Sequence, residues 1–224
     1  MFSGSEKMKK KILLYILIPL FIIVIAIFNL NSNKSDAIKF KEEYEKYNNK
    51  YYRLNISDAN PIKYSNYDEV FNIIESGTGI IFIGYPKCNK CRKVVSNLID
   101  ISIENEISKI YYLNIKNDMD YYEVNNKKLV YKVDSSGNEL KGSKNYFKLL
   151  KKLDKYLDKY IIIDNEKEYD TSEKRIKNPT IIFVRDGEII DVMNTFDSNY
   201  KVYIEDYIMD MTSETCSTNG NSGC

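Results

Sequence analysis

From Gly79 to Lys93 the chain reads Gly-Ile-Ile-Phe-Ile-Gly-Tyr-Pro-Lys-Cys-Asn-Lys-Cys-Arg-Lys, and this stretch decides the predicted fold. The unbroken apolar run from Ile80 to Ile83 predicts a buried strand. After the two cysteines, apolar residues recur at the spacing of a helix: Val94, Val95, Leu98 and Ile101. A Cys-x-x-Cys pair is therefore predicted at the first turn of a helix that directly follows a central strand.

The predicted position of the cysteine pair favours redox chemistry. Unpaired backbone N–H groups and the positive end of the helix dipole stabilise a thiolate at a helix N-terminus, where thiol pKa values fall to about 3.5–7.5. Four neighbouring residues add positive charge: Lys87, Lys90, Arg92 and Lys93. We therefore predict Cys88 as the nucleophile and Cys91, one turn further along the helix, as the resolving thiol.

Two other roles for the cysteine pair stay open. A structural zinc site needs four ligands, and because the chain has no histidine, only Cys216 and Cys224 could complete it. The second alternative is a structural disulfide that never exchanges. The strand-to-helix context favours a redox dithiol over both, so neither a metal nor a cofactor is predicted.

Composition excludes several classes of protein. The chain has 224 residues, of which 43% are hydrophobic, enough for one domain with a core plus appendages. With 33 Lys and Arg against 32 Asp and Glu, the net charge of +1 gives no reason to expect a nucleic acid partner. The absence of histidine excludes Ser-His and Cys-His hydrolase mechanisms.

An apolar run near the N-terminus predicts a membrane anchor. Residues 1–11 end in three lysines, and residues 12–30 are uncharged. This run is longer than the usual signal-peptide core and is followed by no Ala-x-Ala site, which favours an uncleaved transmembrane helix over a cleaved signal peptide. Because basic flanks stay inside, residues 1–11 are predicted to be cytoplasmic and the rest of the chain to lie outside a single-pass cell membrane protein.

Between the anchor and the cysteines, two helices are predicted. Residues 31–54 form a linker and an amphipathic stalk or docking helix, whose aromatic stripe is expected to pack rather than bind a ligand: Phe40, Tyr44, Tyr47 and Tyr51. Residues 55–211 form the main domain, in which Ser65, with Asp68 three residues on, predicts the start of a helix. Lys109 to Ile115 predicts a strand parallel to the first, which places the cysteines at the carboxyl end of a parallel strand.

The second half of the chain is predicted to contain an insertion, a hairpin, a helix and a tail. A helical insertion covers about 117–160, with one amphipathic helix from Tyr146 to Tyr160. Asp186-Gly187 between two apolar runs predicts an antiparallel hairpin, and the periodicity from Tyr200 to Met211 a closing helix. The polar tail, 212–224, carries Cys216 and Cys224, which could form a tail disulfide, be spectators or serve as an accessory redox pair.

This order of elements resembles the thioredoxin-like fold: an α/β domain with a central mixed sheet flanked by helices, here preceded by one transmembrane helix. The resemblance implies that Pro179 is cis and lies against the cysteine pair. It also implies that the backbone of Asn178 pairs with an extended substrate chain held on Cys88 as a mixed disulfide. Tyr85 and Pro86, just before the cysteines, complete the predicted substrate-binding residues.

A narrower resemblance is to the bacteriocin transport accessory proteins of Gram-positive bacteria. It is carried by the long insertion, the segment Tyr-Pro-Lys-Cys-Asn-Lys-Cys-Arg, the run Glu173-Lys174-Arg175 before Asn178-Pro179-Thr180, and cysteines in the tail of an anchored chain. It implies a role in handling disulfides of exported peptides. Two departures from thioredoxins concern the cysteine segment, where Lys87 replaces an aromatic residue and Asn89-Lys90 replaces Gly-Pro. A third is the lack of a buried acid in the preceding strand.

These features predict a membrane-anchored, extracytoplasmic thiol–disulfide oxidoreductase that acts on cysteine-containing secreted peptides or envelope proteins. A membrane redox partner or the export machinery is a further expected partner. The alternative is a non-catalytic thioredoxin-like accessory protein that binds an exported peptide or a transporter.

Overall fold

The computed structural model describes residues 17–21 and 34–213. Residues 17–21 are helical, while the rest of the predicted anchor, 12–30, lies outside the described residues, as do Cys216 and Cys224. No helix within the described ranges is long and apolar enough to cross a membrane. The predictions about the anchor and the tail cysteines therefore stay predictions.

Residues 34–213 form a mixed α/β structure. Its strands are β1 (Ile62–Tyr64), β2 (Gly79–Gly84), β3 (Ile110–Asn114), β4 (Tyr122–Asn125), β5 (Lys128–Tyr131), β6 (Asp158–Asp164), β7 (Lys167–Arg175), β8 (Thr180–Arg185) and β9 (Glu188–Met193). Its α-helices are α1 (Asp36–Glu45), α2 (Tyr67–Ser76), α3 (Asn89–Glu104), α4 (Lys144–Lys152) and α5 (Tyr200–Thr212).

Five strands form one mixed sheet in the order β1-β3-β2-β8-β9. Strands β1 and β2 each run parallel to β3, whereas β8 runs antiparallel to both β2 and β9. The predicted parallel unit around α3 and the hairpin at Asp186-Gly187 are confirmed. The central mixed sheet with flanking helices is the arrangement that the thioredoxin-like resemblance implies.

Helices cover both faces of the central sheet. Helices α1, α3 and α5 pack on the face of Ile80 and Phe82, and α2 and α4 pack on the face of Ile81 and Ile83. All four of these side chains are 0% exposed. A strand buried on both faces needs apolar residues at every position, which explains why this run shows no alternation.

Helix α2 begins one residue later than predicted. Its N-cap is Asn66, whose side chain accepts the Glu69 N–H at 3.0 Å while the Glu69 carboxylate accepts the Asn66 N–H at 3.2 Å. The N–H of Ser65 donates to the carbonyl of Tyr112 at 2.9 Å, which prolongs the pairing of β1 with β3 by one residue, so the helix starts one residue later. The capping box is present, but Asn66 and Glu69 form it in place of Ser65 and Asp68.

Helix α1 packs into the domain core instead of standing apart as a stalk. Phe40 and Tyr44 are 0% exposed, and their rings contact each other and the ring of Tyr112 on β3. The helix ends at Glu45, so the predicted stripe does not continue: Tyr47 is 39% exposed and Tyr51 is 85% exposed. The aromatic residues of α1 therefore serve packing, as expected, over two turns only.

The predicted insertion contains the β4–β5 hairpin, the short helix α4 and the start of β6, so the prediction of one long helix from Tyr146 to Tyr160 was wrong. Helix α4 ends at Lys152, and the chain continues into the antiparallel pair β6–β7, while β4 and β5 form another hairpin before it. The helical spacing persists past the end of α4 because Leu153 and Leu157 are buried in the same core cluster as the helix. The turns of both hairpins hold two residues at positive φ, Asn126-Lys127 and Asn165-Glu166, a conformation that asparagine tolerates.

A buried arginine joins α1 to the cysteine helix. Arg92 is 2% exposed, and its guanidinium donates to the carbonyl of Tyr44 and to Asn48 Oδ1 at 2.7 Å. The hydroxyl of Tyr52 donates to the Arg92 carbonyl at 3.2 Å, and the Tyr52 ring lies 5.5 Å from the guanidinium carbon. The expectation that Arg92 adds charge beside the thiols was therefore wrong, since its hydrogen-bonding partners lie at the C-terminal end of α1 and in the following loop.

We predict that Arg92→Lys destabilises the fold by about 1–3 kcal/mol, because one ammonium cannot reproduce a planar donor fork and leaves a buried acceptor unpaired. The matched control is Arg53→Lys at an exposed position, where a change within about 0.5 kcal/mol is expected. Urea unfolding of the full chain in a non-ionic detergent measures both. Equal midpoints for the two variants would show that the buried fork does not stabilise the fold.

Candidate active site

Cys88 is the N-cap residue of α3, and its sulfur caps the helix. The N–H of Cys91 donates to Cys88 Sγ at 3.1 Å, and the N–H of Arg92 donates to the Cys88 carbonyl at 3.1 Å. The two sulfur atoms lie at disulfide-bonding distance, with the Cα atoms 5.2 Å apart. The sequence prediction that the pair occupies the first turn of a helix after a central strand is confirmed.

The two cysteines differ in exposure. Cys88 is half-buried, whereas Cys91 is 0% exposed. Gly84, at the end of β2, lies so close to Cys91 that a Cβ atom there would stand 3.0 Å from Cys91 Sγ. An external thiol or disulfide can therefore reach Cys88 but not Cys91. The roles of nucleophile and resolving thiol stay predictions, and this difference in access accords with them.

The loop before β8 lies against Cys88. The Asn178-Pro179 peptide bond is cis, Pro179 is buried, and the carbonyl oxygen of Asn178 is 3.7 Å from Cys88 Sγ. Within the described part of the chain, neither the N–H nor the carbonyl of Asn178 has a backbone hydrogen-bond partner. The structure thus places the carbonyl of Asn178, which forms the cis bond to Pro179, beside the sulfur of the half-buried Cys88, while the roles of both residues in binding a substrate stay predictions.

Of the remaining predicted site residues, Tyr85 helps to form the turn that carries Cys88, and Pro86 lines a pocket. The carbonyl of Tyr85 accepts the N–H of Cys88 at 3.1 Å, which closes the turn between β2 and α3. Pro86 lines a small pocket of about 220 Å³ on one side of the cysteine turn. Since Cys216 and Cys224 lie outside the described residues, their distance from this site is not defined. Within the described ranges no group of three or more possible metal ligands occurs.

A larger groove of about 590 Å³ lies on the other side of Asn178 and Pro179. Its walls carry basic and aromatic side chains that include Lys90, Lys93, Lys177, Phe196 and Tyr200. Neither Phe196 nor Tyr200 was predicted as a site residue. Phe196 lies in the loop after β9 and Tyr200 is the first residue of α5, and no motif in the sequence marked either of them.

Met119 also contacts the site and was not predicted. It follows β3, and its sulfur lies 3.3 Å from Nδ2 of Asn178, whose Oδ1 is buried without a hydrogen-bond partner in the described part of the chain. Residues after parallel strands gather at one edge of a sheet, which is why the segments after β2 and β3 meet here. The general rule points to this edge, but no motif singles out Met119.

A buried ion pair lies next to these contacts in the chain. Asp120 follows Met119, and its carboxylate pairs with the guanidinium of Arg175, which also contacts Glu173 at 2.5 Å. Asp120 is 5% exposed and Arg175 is 7% exposed. Burial raises the pKa of the Asp120 carboxyl, although the positive charge of Arg175 opposes the shift. The pair ties together the two segments that reach Asn178, and no sequence motif marked Asp120.

Comparisons with known proteins give one structural similarity. No family model and no curated protein matches the sequence. A comparison of structures finds thioredoxin O2 from Arabidopsis thaliana in its oxidized state, 11% identical, with a TM-score of 0.37, covering 69% of this chain and 96% of that chain. We draw nothing about function from a similarity at this level. None of these comparisons supports the narrower resemblance to bacteriocin transport accessory proteins.

We predict that Arg175→Gln costs about 3–5 kcal/mol of stability, because it leaves the Asp120 carboxylate buried without its partner. The double variant Asp120→Asn/Arg175→Gln should recover much of this loss, since no charge is then stranded. Arg53→Gln, at an exposed position, is the matched control. Urea unfolding of the full chain measures all three, and equal losses in the single and double variants would contradict the pairing.

The pH dependence of stability should follow the raised pKa of Asp120. The folded state holds the Asp120 proton to a higher pH than the unfolded state does. Stability therefore falls as pH rises from the ordinary Asp range through the raised value. Asp120→Asn should remove this fall and Arg175→Gln should steepen it. Identical pH profiles of the unfolding free energy in wild type and Asp120→Asn would contradict the assignment.

Proposed function

We propose that this protein is a thiol–disulfide oxidoreductase that works through Cys88 and Cys91. The observation that carries the proposal is the placement of Cys88. Cys88 is half-buried, and its sulfur caps a helix and lies 3.7 Å from the carbonyl oxygen of Asn178. The backbone of Asn178 has no backbone hydrogen-bond partner in the described part of the chain, while Cys91 is 0% exposed. A disulfide that served only stability would have no need of one accessible sulfur beside unpaired backbone groups.

The exchange runs in two steps that balance in atoms and electrons. In the dithiol form, the Cys88 thiolate attacks a substrate disulfide; one substrate sulfur bonds to Cys88, and the other leaves and takes up a proton. The Cys91 thiol then loses its proton and attacks Cys88 Sγ, which expels the first substrate sulfur. Two electrons pass from the protein dithiol to the substrate disulfide. The reverse sequence oxidises a substrate dithiol at the expense of the protein disulfide.

The surroundings of Cys88 favour both steps. The N–H of Cys91 and the N-terminal end of α3 stabilise negative charge on Cys88 Sγ when it is a thiolate or a leaving group. An extended substrate chain beside the loop would satisfy the unpaired N–H and carbonyl of Asn178. A substrate cysteine bonded to Cys88 would then lie next to Pro179.

The cellular setting of the proposal rests on the sequence. The uncharged run 12–30 behind a basic flank supports a membrane anchor with the catalytic domain outside the cytoplasm. There the substrates would be secreted peptides or envelope proteins, and the electrons would be exchanged with a membrane redox partner or with export machinery. Cys216 and Cys224 would be candidates for an accessory pair in that relay.

Cysteine variants test the proposal in a background that lacks the tail cysteines, Cys216→Ser/Cys224→Ser. With a disulfide-bonded peptide, Cys91→Ser should accumulate a covalent adduct of one peptide per chain that dithiothreitol reverses, because Cys88 can attack but nothing resolves the product. Cys88→Ser, the matched control, should form no adduct, and both variants should lose turnover. Intact mass spectrometry and peptide reduction rates measure the two effects.

Two outcomes would contradict the proposal. Turnover that survives in Cys88→Ser/Cys91→Ser would show that the pair does not carry the reaction. Peptide binding without adduct or turnover in any variant would identify the protein as the non-catalytic accessory alternative.

A further inference from the structure

We infer that the substrate of this site is an acidic peptide, with carboxylates close to its reactive cysteine and an apolar side chain nearby. The inference rests on the proposed function and names its substrate class. Basic and aromatic side chains on both sides of Cys88 carry it.

Six lysines line the two cavities that include residues of the cysteine segment or of the loop beside Cys88. Three line the groove beside Asn178 and Pro179, and three line the smaller pocket beside Pro86; the six are Lys90, Lys93, Lys177, Lys46, Lys87 and Lys116. All are exposed. The chain as a whole has a net charge of only +1, so this positive surface is a local feature.

These lysines are poorly neutralised within the described part of the chain. Lys177 forms an ion pair with Asp158 at 2.6 Å, and the other five form none there. Among the residues that the structure describes, Glu43 is the sole carboxylate lining either of the two cavities. Elsewhere in the described part of the chain some lysines have partners, for example Lys63 with Glu69 and Lys152 with Glu75, and others, such as Lys109 and Lys128, have none. The distinctive feature is therefore that six lysines line two cavities with only one carboxylate among the described lining residues. An anionic ligand would supply the missing charge at the site.

Local folding does not explain the charge at the start of α3. The N-terminal end of a helix favours acidic residues, and α1 and α2 follow this rule with Asp36, Asp68 and Glu69 in their first turns, whereas α3, α4 and α5 have no acidic residue there. The first turn of α3 has no acidic residue and carries Lys90, and Lys93 lies one residue beyond the end of that turn. These lysines oppose the helix dipole without an internal partner. Their position is favourable once a thiolate or a carboxylate lies beside the turn.

The groove also offers an apolar surface. Phe196 and Tyr200 are half-buried, their rings meet edge to face with centroids 5.7 Å apart, and the buried Val94 lies at the base of the groove. All three side chains line the groove together with Lys90 and Lys93. Side chains alternate along an extended peptide, so a chain beside Asn178 can place an apolar residue here and carboxylates against the lysines. A volume of about 590 Å³ holds several side chains.

Three synthetic peptides test the inference. Each has one intramolecular disulfide and one phenylalanine, and its cysteines are flanked by glutamate, serine or lysine. The rate of reduction by the reduced full chain is divided by the rate with dithiothreitol, which removes differences in intrinsic reactivity. We expect the normalised rate to be about tenfold higher for the glutamate peptide than for the lysine peptide at low salt, and the ratio to shrink at high salt.

Charge reversal in the groove gives the matched comparison. Lys90→Glu/Lys93→Glu should invert the order of the three peptides. Lys109→Glu/Lys167→Glu makes the same change of charge just before β3 and at the first residue of β7, and it should keep the original order. The readout is the ratio between peptides, because a charge change near Cys88 also alters its general reactivity.

Each result is decisive. Normalised rates that are equal for the three peptides, or a preference that survives Lys90→Glu/Lys93→Glu, would overturn the inference while leaving the proposed function standing. A chain that reduces none of the three peptides and also fails with a small neutral disulfide would overturn both. If both double variants lost the preference equally, the selectivity would come from the overall charge of the protein, and the assignment to the groove lysines would be contradicted.

Discussion

The hydrogen bond from the N–H of Cys91 to Cys88 Sγ is the interaction on which the site depends. It exists because the chain turns from β2 into α3 within four residues, and the turn leaves the first N–H groups of the helix without carbonyl partners. The sulfur of Cys88 accepts a hydrogen bond from one of these N–H groups. Gly84 permits the close approach of Cys91 on the inner side, so one sulfur faces the core and the other faces the surface.

Two buried polar contacts elsewhere in the fold fix the segments on either side of this turn. The fork of Arg92 attaches the cysteine helix to the end of α1, directly after the shielded thiol. On the other side, the ion pair of Asp120 and Arg175 joins the segments that reach Asn178. Strand β7 therefore links the β6–β7 hairpin to the site, because it ends at Arg175, three residues before Asn178.

The sequence was sufficient for the elements whose patterns are local. The apolar run Ile80 to Ile83, the Cys-x-x-Cys segment and the Asp186-Gly187 turn each predict one structure, and the parallel and antiparallel pairings follow from them. The insertion was mispredicted because the burial of Leu153 and Leu157 continues a helical spacing into a strand. The direction of the Arg92 side chain was mispredicted because the sequence does not show which neighbours a long side chain contacts. The buried pair of Asp120 and Arg175 depends on contacts between distant segments, which no single stretch reveals.

The central claim is that Cys88 and Cys91 form an exchangeable couple. A titration of the full chain in glutathione redox buffers, with thiol modification of Cys88 followed by mass spectrometry, tests it most directly. The account predicts one reversible two-electron transition in which the two cysteines change state together, and its midpoint would then separate an oxidase or isomerase from a reductant. A Cys88–Cys91 bond that resists reduction across the whole range of buffers would contradict the account and favour a structural disulfide in a binding protein.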